Sequence, residues 1–144
     1  MEKGVLTVAK MPPASPILVV CAVIEQNGLL LCAKRSVSMT LPLKWEFPGG
    51  KIDPGEAEEP ALMREILEEL NVEIEILERM PEHDYAYTPD KIIRLIPYRC
   101  TIKDVTKLQS REHVELRWVA RHNLLELDWA AADVPVVKDV RQKL

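Results

Sequence analysis

The sequence predicts an α+β fold in which helices pack on a mixed β-sheet, and three observations carry that prediction. Apolar runs rich in Val, Ile and Leu stand on both sides of one amphipathic segment. Two of those runs are separated by Asn27-Gly28, a pair that supplies the positive φ a tight hairpin needs. The amphipathic segment, residues 58–70, repeats Leu62, Ile66 and Leu70 at helical spacing.

Taken in order, residues 1–15, ending Pro12-Pro13-Ala14-Ser15, show little pattern and read as a loose arm or a short added strand. Strand-like runs at 16–25 and 29–35 flank the Asn-Gly turn. Residues 36–50 read as a loop and a short strand, and a glycine-bearing loop leads into the helix at 58–70. Pro60 falls in its first turn, where a missing N–H breaks no intrahelical bond. Beyond the helix, 72–80, 83–102 and 113–119 are β-like, with Tyr87-Thr88-Pro89-Asp90 turning the chain inside the second of them. Short helical pieces near 121–127 and 133–144 follow. No internal repeat, low-complexity tract or linker marks a second unit, so residues 1–144 are expected to form one domain.

Composition narrows the function classes. With 144 residues the chain can bury about two-thirds of its unfolded surface around a single core. Cys21, Cys32 and Cys100 form no CxxC pair and each sits in an apolar run, which predicts buried, reduced thiols and a cytoplasmic location. The longest apolar stretch, 16–24, is about half of what a bilayer requires, and no basic flank with a cleavage site precedes it, so a soluble protein, mature as written and without a membrane partner, is expected. A net charge of -4 argues against a general affinity for nucleic-acid polymers, and a small anionic ligand would need local cations or metal.

On the helix, Glu65, Glu68 and Glu69 fall at spacings that bring them together, while Leu62, Ile66 and Leu70 form the apolar stripe. Like charges at that spacing cost a few tenths of a kcal/mol per pair, roughly, on an isolated helix. A hard divalent cation such as Mg²⁺, with oxygen ligands and a shell completed by substrate phosphates, would account for the crowding; a merely solvated acidic face is the alternative. Immediately before the helix, Gly49, Gly50 and Gly55 let the backbone bend and present carbonyls or amides to a ligand.

The spacing of Gly50, Glu56, Arg64-Glu65-Ile66, Glu68-Glu69 and Asn71-Val72 resembles the Nudix box, the signature of the Nudix hydrolases. The resemblance extends to Trp45-Glu46-Phe47-Pro48-Gly49-Gly50-Lys51 and to the strand arrangement. One position departs: Asn71 stands where the box usually has Gly, and Asn is the next-best residue for the left-handed conformation that ends a helix. The resemblance implies a Nudix α/β/α sandwich with a mixed sheet, and Mg²⁺-dependent hydrolysis of a nucleoside diphosphate linked to another moiety, with Mn²⁺ as a substitute ion. It implies Glu65, Glu68 and Glu69 as metal ligands, helped by a backbone carbonyl at Gly49 or Gly50. Glu56 and Arg64 match the pair that braces loop against helix, which would hold carbonyl and carboxylates in one geometry; an ordinary surface ion pair is the other reading.

Within the family the chain is most similar to the MutT-like branch and its (d)CTP pyrophosphohydrolase members. Such enzymes release pyrophosphate from a nucleoside triphosphate, and this chain is expected to be a monomer or homodimer. Arg35 matches a phosphate- or nucleotide-contacting Arg of that branch and suits phosphate through its rigid fork of donors. Lys51 and Lys91 are further substrate-binding candidates, with Arg94 a secondary cation. Phe47 and Trp45 could flank a base, or a short strand could turn one into the core and the other outward. Glu112 matches a position where relatives place an added acidic ligand or base, so Glu69 and Glu112 are the two candidate bases. His83, His113 and His122 show no ligand spacing and are expected at the surface. Asp133, before the last helical piece, is either an N-cap or a base-reading residue, as the acid or amide at the matching position is in MutT-like enzymes. Pro89 lies where some ADP-ribose-cleaving relatives carry a Pro, but its turn explains it locally. Three further readings stay open: an 8-oxo-dGTP diphosphatase, a nucleotide sensor without catalysis, and an acidic scaffold. The last leaves the glycine loop unexplained, and the sensor is disfavoured by the full set of acidic positions.

Overall fold

The computed structural model describes residues 15–142. Asn27 and Gly28, at φ +52° and +80°, turn β1 (Ile17–Gln26) into β2 (Leu29–Lys34), with Gln26 opposite Leu29. The segment after β2 supplies two short strands, β3 (Trp45–Glu46) and β4 (Gly49–Lys51), where one was expected, and α1 (Glu58–Leu70) follows. Next come β5 (Ile74–Arg79), β6 (His83–Thr88), β7 (Lys91–Ile102), β8 (Glu115–Ala120) and α2 (Val134–Gln142). The piece expected at 121–127 is 3-10 helical over Arg121–Glu126. The expected arm at 1–15 lies outside the described residues apart from Ser15, as do positions 143–144.

β1 is the hub. It runs parallel to β7 from the Ile17–Ile93 pair to Ile24–Cys100, takes β4 antiparallel along Val19–Cys21, and joins β2 at its far end. β7 carries β5 and β6 antiparallel, and β2 carries β3 and β8. Among the described residues the result is a mixed eight-stranded sheet.

Because side chains alternate across a strand, β1 feeds two cores. Val20, Ala22 and Ile24 point to one face, against Ala61, Leu62, Ile66 and Leu70 of α1. Cys21 and Val23 point to the other, against Val136, Val137 and Val140 of α2. This gives the expected helix, sheet and helix layers. Ile66 is 0% exposed, so Ile66→Ala would cost about 2–5 kcal/mol. The three cysteines are free and buried, and burial pushes the Cys32 thiol up to about 12. Among the described residues no helix is long and apolar enough to cross a membrane.

Helix α1 ends where the sequence places a left-handed residue. Asn71 has φ +59° and its N–H donates to the Leu67 carbonyl. Its side chain adds something a glycine could not: Nδ2 donates to Lys107 O at 3.2 Å, and Oδ1 accepts from Arg111 Nη2 at 2.7 Å.

Candidate active site

The box loop is tied to the helix through one residue. Arg64 grips Glu56 with two hydrogen bonds, Nε to Oε2 at 2.8 Å and Nη2 to Oε1 at 2.9 Å. It also donates to Glu65 Oε2 at 2.9 Å and to the Lys51 carbonyl at 3.3 Å. The Asp53 amide closes the loop onto Glu56 Oε1 at 3.0 Å. Arg64, and after it the Asp53 amide, hold the Glu56 carboxyl down at about 2, well below the usual carboxylate range.

The three box carboxylates occupy different environments. Glu65 lies directly beneath Gly50, so closely that a Cβ there would fall on its carboxyl group. Glu69 is 3% exposed, and burial first, then Glu112 and Glu65, push its carboxyl well above the usual range. Glu68 stands at the solvent edge, 3.6 Å from Arg64 Nη1. Glu112 is exposed, on the loop before β8. Among the described residues no three His, Cys, Asp or Glu side chains already form a metal cage. The donors instead suit an open site: hard oxygen ligands, a buried carboxylate short of a compensating charge, and a glycine that leaves room over Glu65. A divalent cation completed by water and phosphate oxygens fits that set. Glu65, Glu69, Glu112 and the Gly49 or Gly50 carbonyl would hold it, with Glu68 at its outer side.

Beside this acidic edge opens a cavity of about 560 Å³. Gly49, Gly50 and Lys51 line its mouth together with Arg35 and, from the β6–β7 hairpin, Lys91. Deeper in, Phe47 packs on Trp129 with ring centroids 4.8 Å apart, and Asp133 forms part of the wall. The Asp133 carboxyl, 6% exposed, accepts from the Phe47 amide at 3.0 Å. That bond reaches across the fold rather than capping α2 locally. Burial, and after it the nearby Glu46, push the Asp133 carboxyl up, so a neutral acid is favoured in the wall.

Four expectations change here. Trp45 and Phe47 do not divide between core and surface; both are buried, at 5% and 3% exposed, because residues two apart share a strand face. Trp45 packs under the Arg117 guanidinium, 4.8 Å from its ring, outside the cavity lining. Arg94 is taken by Asp84 and Glu82 and does not line the cavity either. Two of the three histidines also differ from the surface expectation: His83 is half-buried against Asp139 at 2.7 Å, and the His113 side chain is only 1% exposed, while His122 is exposed.

His113 Nε2 meets Glu46 Oε2 at 2.7 Å, and the other Glu46 oxygen accepts from Arg35 at 2.7 Å. Glu46, His113 and the cavity-lining Tyr87 are the residues that sequence reasoning passed over. Glu46 carried a signal, its place in the run 45–51. His113 and Tyr87 carried none, since only the pairing of β2 with β8 and of β6 with β7 brings them inward.

Comparison with known proteins gives the family. The model of the NUDIX domain matches residues 15–140. A CTP pyrophosphohydrolase of Escherichia coli (strain K12) is 35% identical over 120 residues, covering 83% of this chain and 87% of that protein. A Mycobacterium tuberculosis (strain CDC 1551 / Oshkosh) protein provisionally named 8-oxo-dGTP diphosphatase 2 is 33% identical over 130 residues, covering 88% and 89%. The solution structure of a DNA mismatch repair protein MutT of the Nudix hydrolase family, from methicillin-resistant Staphylococcus aureus 252, has a TM-score of 0.72 at 36% identity, over 91% of this chain and 99% of that one. With the box loop, the braced acidic helix and the sandwich in place, the chain belongs to the Nudix hydrolases, in their MutT-like branch.

Proposed function

We propose that the protein is a Mg²⁺-dependent nucleoside triphosphate pyrophosphohydrolase that converts an NTP or dNTP and water to the monophosphate and pyrophosphate, with CTP or dCTP as its preferred substrate. The observation that carries this reading is one cavity lined by Phe47 and Asp133, by the cations Arg35, Lys51 and Lys91, and by Gly50, which sits directly on the Glu65 carboxylate. Its volume of about 560 Å³ suits a nucleotide-sized ligand.

In this pose the base lies against Phe47, and Asp133 reads its edge. With one oxygen on the Phe47 amide, a neutral Asp133 can donate to cytosine N3 and accept from the exocyclic N4 amine. Arg35, Lys51 and Lys91 face the phosphates as cations. Glu112 or Glu69 takes the proton of the attacking water, which is directed at the β-phosphorus. Arg64 holds the loop and Glu65 in register while this happens. The cation supplies charge neutralisation of the phosphate oxygens and a more acidic water. The similarity to a CTP pyrophosphohydrolase supports the cytosine choice.

A second reading, 8-oxo-dGTP, is favoured by the same buried acid, because a protonated Asp133 can also donate to a purine carbonyl. A product assay across dCTP, CTP, dGTP, 8-oxo-dGTP and ADP-ribose, with and without Mg²⁺, tests both. Hydrolysis in ¹⁸O-labelled water locates the attacked phosphorus, with label expected in pyrophosphate. Cytosine nucleotides should lead, and chelation should abolish turnover. Absence of pyrophosphate from every triphosphate, or preference for ADP-ribose, would overturn the proposal.

A further inference from the structure

Arg35 is held at the cavity mouth by three bonds. Nε donates to Thr40 O at 2.6 Å, Nη2 to Thr40 Oγ1 at 3.0 Å, and Nη1 to Glu46 Oε1 at 2.7 Å. A guanidinium has five N–H donors, so about two stay free for a ligand. Glu46 is held from its other side by His113 at 2.7 Å, and as a carboxylate it offers acceptors only, so Nε2 of His113 carries the hydrogen. The imidazole is buried in the loop that carries Glu112. Its Nδ1 makes no hydrogen bond and stands 3.9 Å from Glu69 Oε1.

That loop is stitched to both sides of the site. The Arg111 amide donates to Glu69 O at 2.9 Å, the Val114 amide donates to Lys34 O at 2.9 Å, and Ser110 Oγ donates to His113 O at 2.7 Å. An apolar side chain would fill the same space without a buried unpaired nitrogen, which is costly. The imidazole is explained if its work is to hold Glu46.

We infer that Glu46 and His113 are positioning residues for substrate binding: His113, from the loop bearing Glu112, fixes Glu46, and Glu46 fixes the Arg35 guanidinium that faces the nucleotide phosphates. Both act on Arg35; Glu46 does so from the cavity lining and His113 from behind it, outside the lining. The benefit is preorganisation, since an arginine already immobilised loses less freedom when a phosphate binds. The ligand arm of this inference rests on the nucleotide reading above; the immobilisation of Arg35 does not.

The test has two arms. Without any ligand, the ¹⁵Nη1–H resonance of Arg35, the group that donates to Glu46, reports whether that side of its guanidinium is fixed. It should be sharp and slowly exchanging in wild type, broadened in His113→Leu, and recovered in His113→Gln, whose amide can still donate to Glu46. With dCTP in chelator, calorimetric Kd should rise about tenfold in His113→Leu and return to within about threefold of wild type in His113→Gln. In an Arg35→Ala background, His113→Leu should add no further loss, because the cycle closes through a shared partner. Glu46→Leu, which leaves Arg35 Nη1 and His113 Nε2 without an acceptor, gives the same reading of the Arg35 resonance if His113→Leu does not fold. An unchanged Arg35 resonance, or losses from Arg35→Ala and His113→Leu that simply multiply, would overturn the inference. If the resonance responds while wild type neither binds dCTP in chelator nor hydrolyses any nucleotide with Mg²⁺, the proposed function fails and the positioning pair stands.

Discussion

Gly50→Ala should separate catalysis from folding. Gly50 is not among the described positive-φ residues, so alanine brings no backbone strain. What it brings is a methyl group placed on the Glu65 carboxylate, 2.9 Å from Oε2 and nearer still to Oε1 and the carboxyl carbon. Ordinary contact begins near 3.4 Å, so the carboxylate must retreat by roughly 1 Å, the scale on which misplaced catalytic groups lose about 10²-fold in rate. That is about 2.7 kcal/mol of transition-state stabilisation. The neighbouring Gly49→Ala is the control. Its methyl would sit 2.7 Å from Cys21 Cα and 2.9 Å from Val20 C, and the backbone of a central strand cannot give way. Overpacking there costs about 1–3 kcal/mol, a Tm loss of roughly 3 °C per kcal/mol. Steady-state kinetics at saturating Mg²⁺ and thermal melts of both variants check this. Gly50→Ala should keep its Tm and lose kcat, while Gly49→Ala should lose Tm. Near wild-type turnover in Gly50→Ala would refute the role given to Glu65.

Three other outcomes are expected. Glu69→Gln should lower turnover about 100-fold yet raise Tm in chelator, because it removes a carboxylate that burial disfavours; parallel kinetics and melts read both. Arg64→Ala should lower Tm and metal-dependent activity together. The Glu56 carboxyl is depressed in the folded state, so its contribution is full above pH 4.5 and fades as pH falls towards 2. The Tm gap between wild type and Arg64→Ala should therefore narrow over that window. Asp133→Asn should reorder kcat/KM among dCTP, CTP, dGTP and 8-oxo-dGTP, and Asp133→Ala should lower it most for the best base. An unaltered ranking would take Asp133 out of base selection.

What could be read in advance was what short-range rules decide. The Asn27-Gly28 turn depends on two residues, and the α1 boundaries depend on a run of thirteen whose apolar spacing is its own signal. The brace between Glu56 and Arg64, eight positions apart, was legible through the resemblance to the Nudix box and not through such rules. Glu46 and His113 are separated by 67 positions and meet only because β2 pairs with both β3 and β8. For Asp133 a local cap and a base-reading role both stayed open, because nothing near it announces the Phe47 amide, 86 positions away. The error over Trp45 and Phe47 was of another kind, a misapplied strand period.

The departure at Asn71 bears on how the molecule breathes. A glycine would reproduce the backbone turn, but the hydrogen bonds tying the segment after β7 to the end of α1 would then be main-chain ones alone, Gln109 N to Leu70 O and Arg111 N to Glu69 O. Asn71 adds two side-chain tethers, to Lys107 and Arg111, at a modest cost in left-handed strain. The end of the helix and the stretch approaching Glu112 should consequently open as one cooperative unit, not as a fraying terminus beside a loose loop. Their amides should share a single hydrogen-exchange rate, which Asn71→Gly would split in two.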